Sequence, residues 1–160
     1  MPEPARLLRG AAVLADPLVR ELLGKRLVAV LATIGPEGVP HVTPLWFADD
    51  GDSIVMATGS GSRKVENLRR DPRASLVLHD SQPGCDVCGA SIEGRLEVVE
   101  GEQAAPLVER VHGRYVESDA LEVVEFLASD DVALRLLPER AWTWDQRGTP
   151  AARAGGLPLA

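Results

Sequence analysis

Three apolar runs separated by two sharp turns constrain this chain more than any other feature. "RLVAVLATI" (26–34) is apolar and partly β-branched, "GPEG" (35–38) is a turn, and "VPHVTPLWFA" (39–48) is a second extended run. "DDGD" (49–52) is a second turn and "SIVMAT" (53–58) a third strand. β-Branched and aromatic runs of this length read as strands, and Gly, Pro and Asp supply the conformations that reverse a chain within a few residues. The stretch therefore reads as a three-stranded antiparallel meander.

More strands follow. "RASLVLHD" (73–80) is one, and "ASIEGRLEVVE" (90–100) is a long alternating run in which Gly94 predicts a bulge or bend. "DDVALRLLPERAWTWD" (130–145) reads as two more short strands. Helices are few. Asp16 caps one that starts at Pro17, runs to about Leu23 and closes at Gly24. In the acidic segment 101–128, Leu107, Val108, Val111 and Tyr115 share one helical face, and Leu121, Val124 and Leu127 line a second helix. The pattern predicts a mainly β (α+β) domain, a closed or nearly closed antiparallel barrel with flanking helices. Residues 1–16 read as an N-terminal arm, 17–145 as the barrel, and 146–160 as a Gly/Pro/Ala-rich tail expected to be disordered.

With 160 residues the chain is the size of one domain, and its net charge of −7 and pI near 5.0 argue against a general nucleic-acid binder. No apolar run approaches the ~20 residues of a membrane span. The N-terminal segment, broken by Pro4 and Pro17, does not read as a signal peptide, so a cytoplasmic location without membrane partners is expected. Fifteen Arg stand against two Lys, as in GC-rich coding, and Asn67 is the single Asn.

Asn67 and Lys64 both fall in "ATGSGSRKVENLRRDPRAS" (57–75), where the chemistry concentrates. Ser62 is placed to cap a helix running from Arg63 to about Arg70, with Val65 and Leu68 inward and Pro72 beyond its end. Arg63 and Lys64 then lie beside the positive end of the helix dipole, which costs each about 0.3–1 kcal/mol at a surface. A bound phosphate or carboxylate reverses that sign, because the free N–H groups, the dipole and both cations favour it. Thr58, Ser60 and Ser62 add hydroxyls, and Gly59 and Gly61 allow close backbone approach. The bland reading is a solvated helix with a Glu66–Arg70 pair at four-residue spacing. The stretch is neither a Walker A loop nor a dinucleotide fingerprint.

The order of the meander, "SRKVENL" and "DPRASLVL", with a "GVPHVTPLWF" second strand and a late "RAWTW" strand, resembles the pyridoxamine 5′-phosphate oxidase-like split-barrel superfamily of flavin and deazaflavin oxidoreductases. The resemblance spans roughly residues 17–145 and implies a six-stranded antiparallel split β-barrel, a homodimer with cofactor at the dimer interface. By the same implication Arg63 and Lys64, helped by Ser62 and Thr58, bind the cofactor phosphate. Val42, Thr43, Pro44 and Leu45 lie along the flavin ring. Trp142 or Trp144 approaches from the partner chain or flanks the substrate pocket. The cofactor is FMN or the deazaflavin coenzyme F-420, with GC-rich composition leaning to the latter. The residues that select pyridoxamine are not recognisable.

The expected activity is hydride transfer between that cofactor and a small organic molecule, with no separate catalytic acid or base assigned. The rival reading is a non-catalytic carrier or sensor, and a weaker third is a haem- or metal-associated barrel using Cys85, Cys88 or His residues. "GCDVCG" (84–89) lacks the further ligands of a zinc site and reads as reduced thiols in a hairpin loop with Cys88 near a strand start, so no metal is assigned. His41 shares the side of Thr43, opposite Val42, and with Trp144 is placed at the substrate pocket, against the plain alternative of a hydrogen-bonded strand histidine. His112 is expected to face solvent. Trp46, Trp142 and Trp144 read as core by default, although Trp142 and Trp144 share one strand face, a patch suited to both a dimer interface and a ligand pocket.

Overall fold

The computed structural model describes residues 5–82, 86–117 and 130–148. The strands are β1 (Arg6–Arg9), β2 (Ala29–Ile34), β3 (Pro40–Leu45), β4 (Phe47–Asp49), β5 (Ile54–Gly59), β6 (Arg73–Gln82), β7 (Asp86–Val99) and β8 (Asp131–Asp145). The helices are α1 (Ala12–Ala15), α2 (Pro17–Gly24), α3 (Arg63–Arg70) and α4 (Ala105–Tyr115). One antiparallel sheet runs β3-β2-β6-β7-β8-β5-β4, with β1 paired to β8 off that path. The result is a mainly β split barrel with flanking helices, built from eight strands where six were expected.

The extra strands have local causes. The run at 39–48 breaks at Trp46 into β3, which pairs with β2, and β4, which pairs with β5. The two ends of the sheet are thus two halves of one bent segment, and the bend closes the barrel covalently. The N-terminal stretch supplies β1, with Leu7 opposite Trp142. Conversely, 131–145 is one strand and not two. Pro138 would break an ordinary ladder, but it faces Gly94 at the register shift, where a missing N–H goes uncounted. Gly94 is required there, since an added Cβ would fall 2.1 Å from the Leu137 carbonyl oxygen.

The helix predicted from Pro17 to about Leu23 is α2, which takes in Gly24 as well, and the helix predicted from Arg63 to about Arg70 is α3. Asp16 caps α2 as expected, its Oδ1 accepting from the Leu18 and Val19 amides at 3.0 and 3.2 Å. Leu31, Phe47, Met56, Leu76, Ile92 and Leu134 fill the barrel, and α2 and α3 add Leu22, Leu23, Val65 and Leu68 to that core. Burying side chains of this size contributes ~1.5–3 kcal/mol each. On the other face, Leu107, Val108 and Val111 of α4 pack on Ala48, Val55 and Ala133. The second helix predicted at 121–127, Cys85 and the tail beyond Gly148 lie outside the described residues. Cys88 lies near the start of β7, as read from the sequence, and is buried. Among the described residues no helix is long and apolar enough to cross a membrane.

Candidate cofactor site

The site is built from the end of β5 and the start of α3. Thr58 and Gly59 pair with Val132 and Asp131 of β8, which fixes where the "GSGS" turn leaves the sheet. The Ser62 carbonyl accepts from the Val65 and Glu66 amides, so the N–H groups of Arg63 and Lys64 precede the first intrahelical bond. The Ser62 side chain corrects the sequence reading: it makes no capping bond and instead accepts from Thr58 Oγ1 at 3.5 Å. That hydroxyl is therefore spare for a ligand.

Lys64 is half-buried and donates to Thr58 Oγ1 at 2.9 Å. Burial holds its ammonium below the usual lysine range, and the Asp131 carboxylate partly offsets this. Arg63 is exposed and has no hydrogen bond or ion pair among the described residues. The Glu66–Arg70 pair of the bland reading does not form, and Arg70 instead bonds Asn67 Oδ1 and the Ile34 carbonyl. Two carboxylates sit close by, and both are engaged: Asp130 accepts from Ser60 Oγ at 3.0 Å, and Asp131 meets His112 Nε2 at 2.9 Å.

His112 departs from expectation. It is 5% exposed, because its position on α4 turns it into the packing against β8, with its ring edge-on to Trp46. Trp46 in turn stacks on Tyr115 at 5.0 Å between centroids. Asp131, His112 and this aromatic stack were not visible in the sequence, since each depends on α4 docking beside β5. The one available signal was the four-residue spacing of His112 from the buried Val108.

On β3 the alternation is as read. His41, Thr43 and Leu45 turn inward, while Val42 is 57% exposed and Pro40 and Pro44 face out. His41 Nδ1 and Thr43 Oγ1 are buried without a hydrogen-bond partner. Such atoms carry a cost that a bound polar group would relieve.

Trp142 and Trp144 share the outer face of β8, opposite Ser91 and Gly89 of β7. Trp142 is 43% exposed, and the half-buried Trp144 ring covers Gly89, where an added Cβ would meet it at 2.3 Å. Within the chain these indoles do not join the Arg63–Lys64 group. Trp142 lies roughly ten residues along β8 from Val132, the partner of Thr58, which is about 30 Å of strand. Trp142 instead belongs to an outer-face row, Leu7–Trp142–Ser91–Val77–Val30–Pro44, that crosses six strands. Beside it lies a groove of about 540 Å³ lined by Arg9, Ala32, Ser75, Glu93 and Arg140 among others.

The class the structure defines is a split barrel whose hydroxyl-rich turn opens onto a dibasic helix start. The sequence places it more closely: residues 15–153 match the family model described as pyridoxamine 5′-phosphate oxidase, and the chain belongs to that family. Among solved structures, it is 31% identical to the conserved hypothetical protein Rv2991 from Mycobacterium tuberculosis, covering 91% of this chain and 89% of that one, with a TM-score of 0.72. It is 25% identical to an F420 reductase, over 76% of this chain and 94% of that one, with a TM-score of 0.58. The haem storage protein HutZ from Vibrio cholerae shares the fold at 19% identity and a TM-score of 0.66, over 81% and 94% of the two chains. No protein of curated function matches the chain.

Proposed function

We propose that this protein is a homodimeric oxidoreductase that binds FMN or the deazaflavin coenzyme F-420 and moves a hydride between it and a small organic molecule. The observation that carries the reading is the start of α3, where Arg63 has no partner among the described residues and Lys64 is held on Thr58. The donor set suits a phosphate: two cations, the first N–H groups of α3 and the Ser62 hydroxyl lie on three consecutive residues, and among the described residues no carboxylate is bonded to either cation. The membership of an F420 reductase among the similar chains supports the same class of ligand.

Arg63 and Lys64 neutralise the phosphate. Val42 to Leu45 lie along the ring, and Thr43 and His41 offer their unsatisfied polar atoms from the inner side of the strand. The bound ring supplies the hydride chemistry. The chain orients it and excludes water, which a second copy does by covering the outer-face row and bringing its Trp142 and Trp144 to the pocket. An exposed Leu7–Trp142 pair flanked by Val77 and Val30 is an apolar surface suited to such a partner.

The test is a set of titrations of the purified chain with FMN, F-420 and haemin, read by visible absorption, followed by turnover of the reduced cofactor against a substrate panel. Tight binding of either flavin-type cofactor with turnover is the expected result. Binding without turnover selects a carrier, and a haem spectrum with neither flavin bound overturns the proposal.

A further inference from the structure

Helix α3 is eight residues long, too short to hold a conformation or a position by itself. What places Arg63 and Lys64 is therefore its packing. Val65 and Leu68 bury apolar surface, and contacts of that kind have little directionality. The directional link is Asn67, which is 1% exposed. Its Nδ2 donates to Thr33 Oγ1 on β2 at 3.0 Å, and its Oδ1 accepts from the Arg70 guanidinium at 3.0 Å. The same guanidinium nitrogen donates to the Ile34 carbonyl at 3.2 Å. Thr33 Oγ1 passes the connection on, donating to the His41 carbonyl of β3 at 3.5 Å.

A buried carboxamide is costly unless bonded, and an apolar side chain of similar size would bury here without that demand. The amide thus contributes direction more than burial. It joins, through one threonine, the helix that bears the anion-binding cations to the strand that flanks the proposed ring.

We infer that Asn67 is a positioning residue for the cofactor: it fixes the separation between the start of α3 and strand β3, and so between the phosphate and ring ends of one ligand. The inference rests on the proposed function. A ligand gripped at two ends loses affinity when their spacing loosens, because the site is no longer preorganised. A ligand that touches only the α3 end does not.

Three variants of the full-length chain separate these cases. Thr33→Val keeps shape and removes the hydroxyl, Thr33→Ser keeps the hydroxyl, and Asn67→Leu keeps volume and removes the amide. Each is titrated with FMN, F-420 and inorganic phosphate well below its own melting temperature. Thr33→Val and Asn67→Leu weaken the preferred cofactor about 10-fold or more and leave inorganic phosphate within about 2-fold, as loss of preorganisation requires. Thr33→Ser retains cofactor affinity, and the Thr33→Val, Asn67→Leu double variant is no worse than the weaker single one. Unchanged cofactor affinity in Thr33→Val overturns the inference, as does a parallel loss of phosphate affinity. If Asn67→Leu does not fold, the two threonine variants decide. A wild-type chain that binds neither cofactor nor phosphate overturns the proposed function, and this inference with it.

Discussion

Lys64 is the residue whose environment has the clearest chemical consequence. Its burial disfavours the ammonium, so it loses its proton at lower pH in the folded chain than in the unfolded one. Below the folded value the buried charge costs stability in full, and the cost is relieved as pH rises through it. A bound phosphate reverses the balance and raises the lysine again, so binding takes up a proton. Cofactor affinity should therefore fall as pH rises from neutral towards ~10, and Lys64→Met should flatten that limb. The measurement is a series of binding titrations across that range. Arg63→Ala and Lys64→Ala should each weaken cofactor binding about 10- to 100-fold, consistent with ~1.5–3 kcal/mol for a charge-assisted hydrogen bond. Equal affinity in wild type and an Arg63→Ala, Lys64→Ala double variant removes the phosphate assignment. Arg63 and Lys64 were legible in the sequence because two cations at a helix start are locally unfavourable, and that conflict needs no tertiary knowledge. Asp131 and His112 were not, because they lie nineteen residues apart and meet only across α4 and β8.

At the scale of elements, the β7–β8 pair shows how far local signals reach. Gly94 marked a bulge correctly, since a glycine inside an alternating run has few other uses. The continuity of β8 through Pro138 was hidden, because the compensation for that proline sits in another strand, at Gly94. Likewise the break at Trp46 follows from β3 and β4 serving opposite ends of one sheet, which no window of sequence reports. Gly94→Ala should therefore be severe: its methyl would fall 2.1 Å from the Leu137 oxygen and force β7 and β8 apart. We expect a loss of at least ~1–3 kcal/mol in denaturant unfolding, the range typical of overpacking, with Gly113→Ala on α4, where an added Cβ meets nothing within 4 Å, as the tolerant control.

For the whole molecule, the proposed shared site makes assembly and binding one property. Light scattering should report a dimer, and Trp142→Glu, which sets a charge in the outer-face row, should shift the chain to monomer and abolish cofactor binding together. A monomeric Trp142→Glu chain that binds cofactor with native affinity would separate the two and remove the partner from the site. The family and barrel class were legible from motif order along the chain. The Trp142–Trp144 patch of the proposed dimer face was legible from its period of two, but its extent was not, because the row gathers one residue from each of six strands.

The prolines of β3 bear on what kind of assembly is possible. Sheet edges invite other chains to add on, and addition at an edge can repeat without limit, giving fibres. Along the main path one end strand carries Pro40 and Pro44, each without an N–H to offer, and the other end, β4, is three residues long, while β1, off that path, has only four. Edge growth is thereby discouraged at both ends, and the broad outer face is left as the route to association. A face meeting its own copy about a two-fold axis satisfies itself and stops at two.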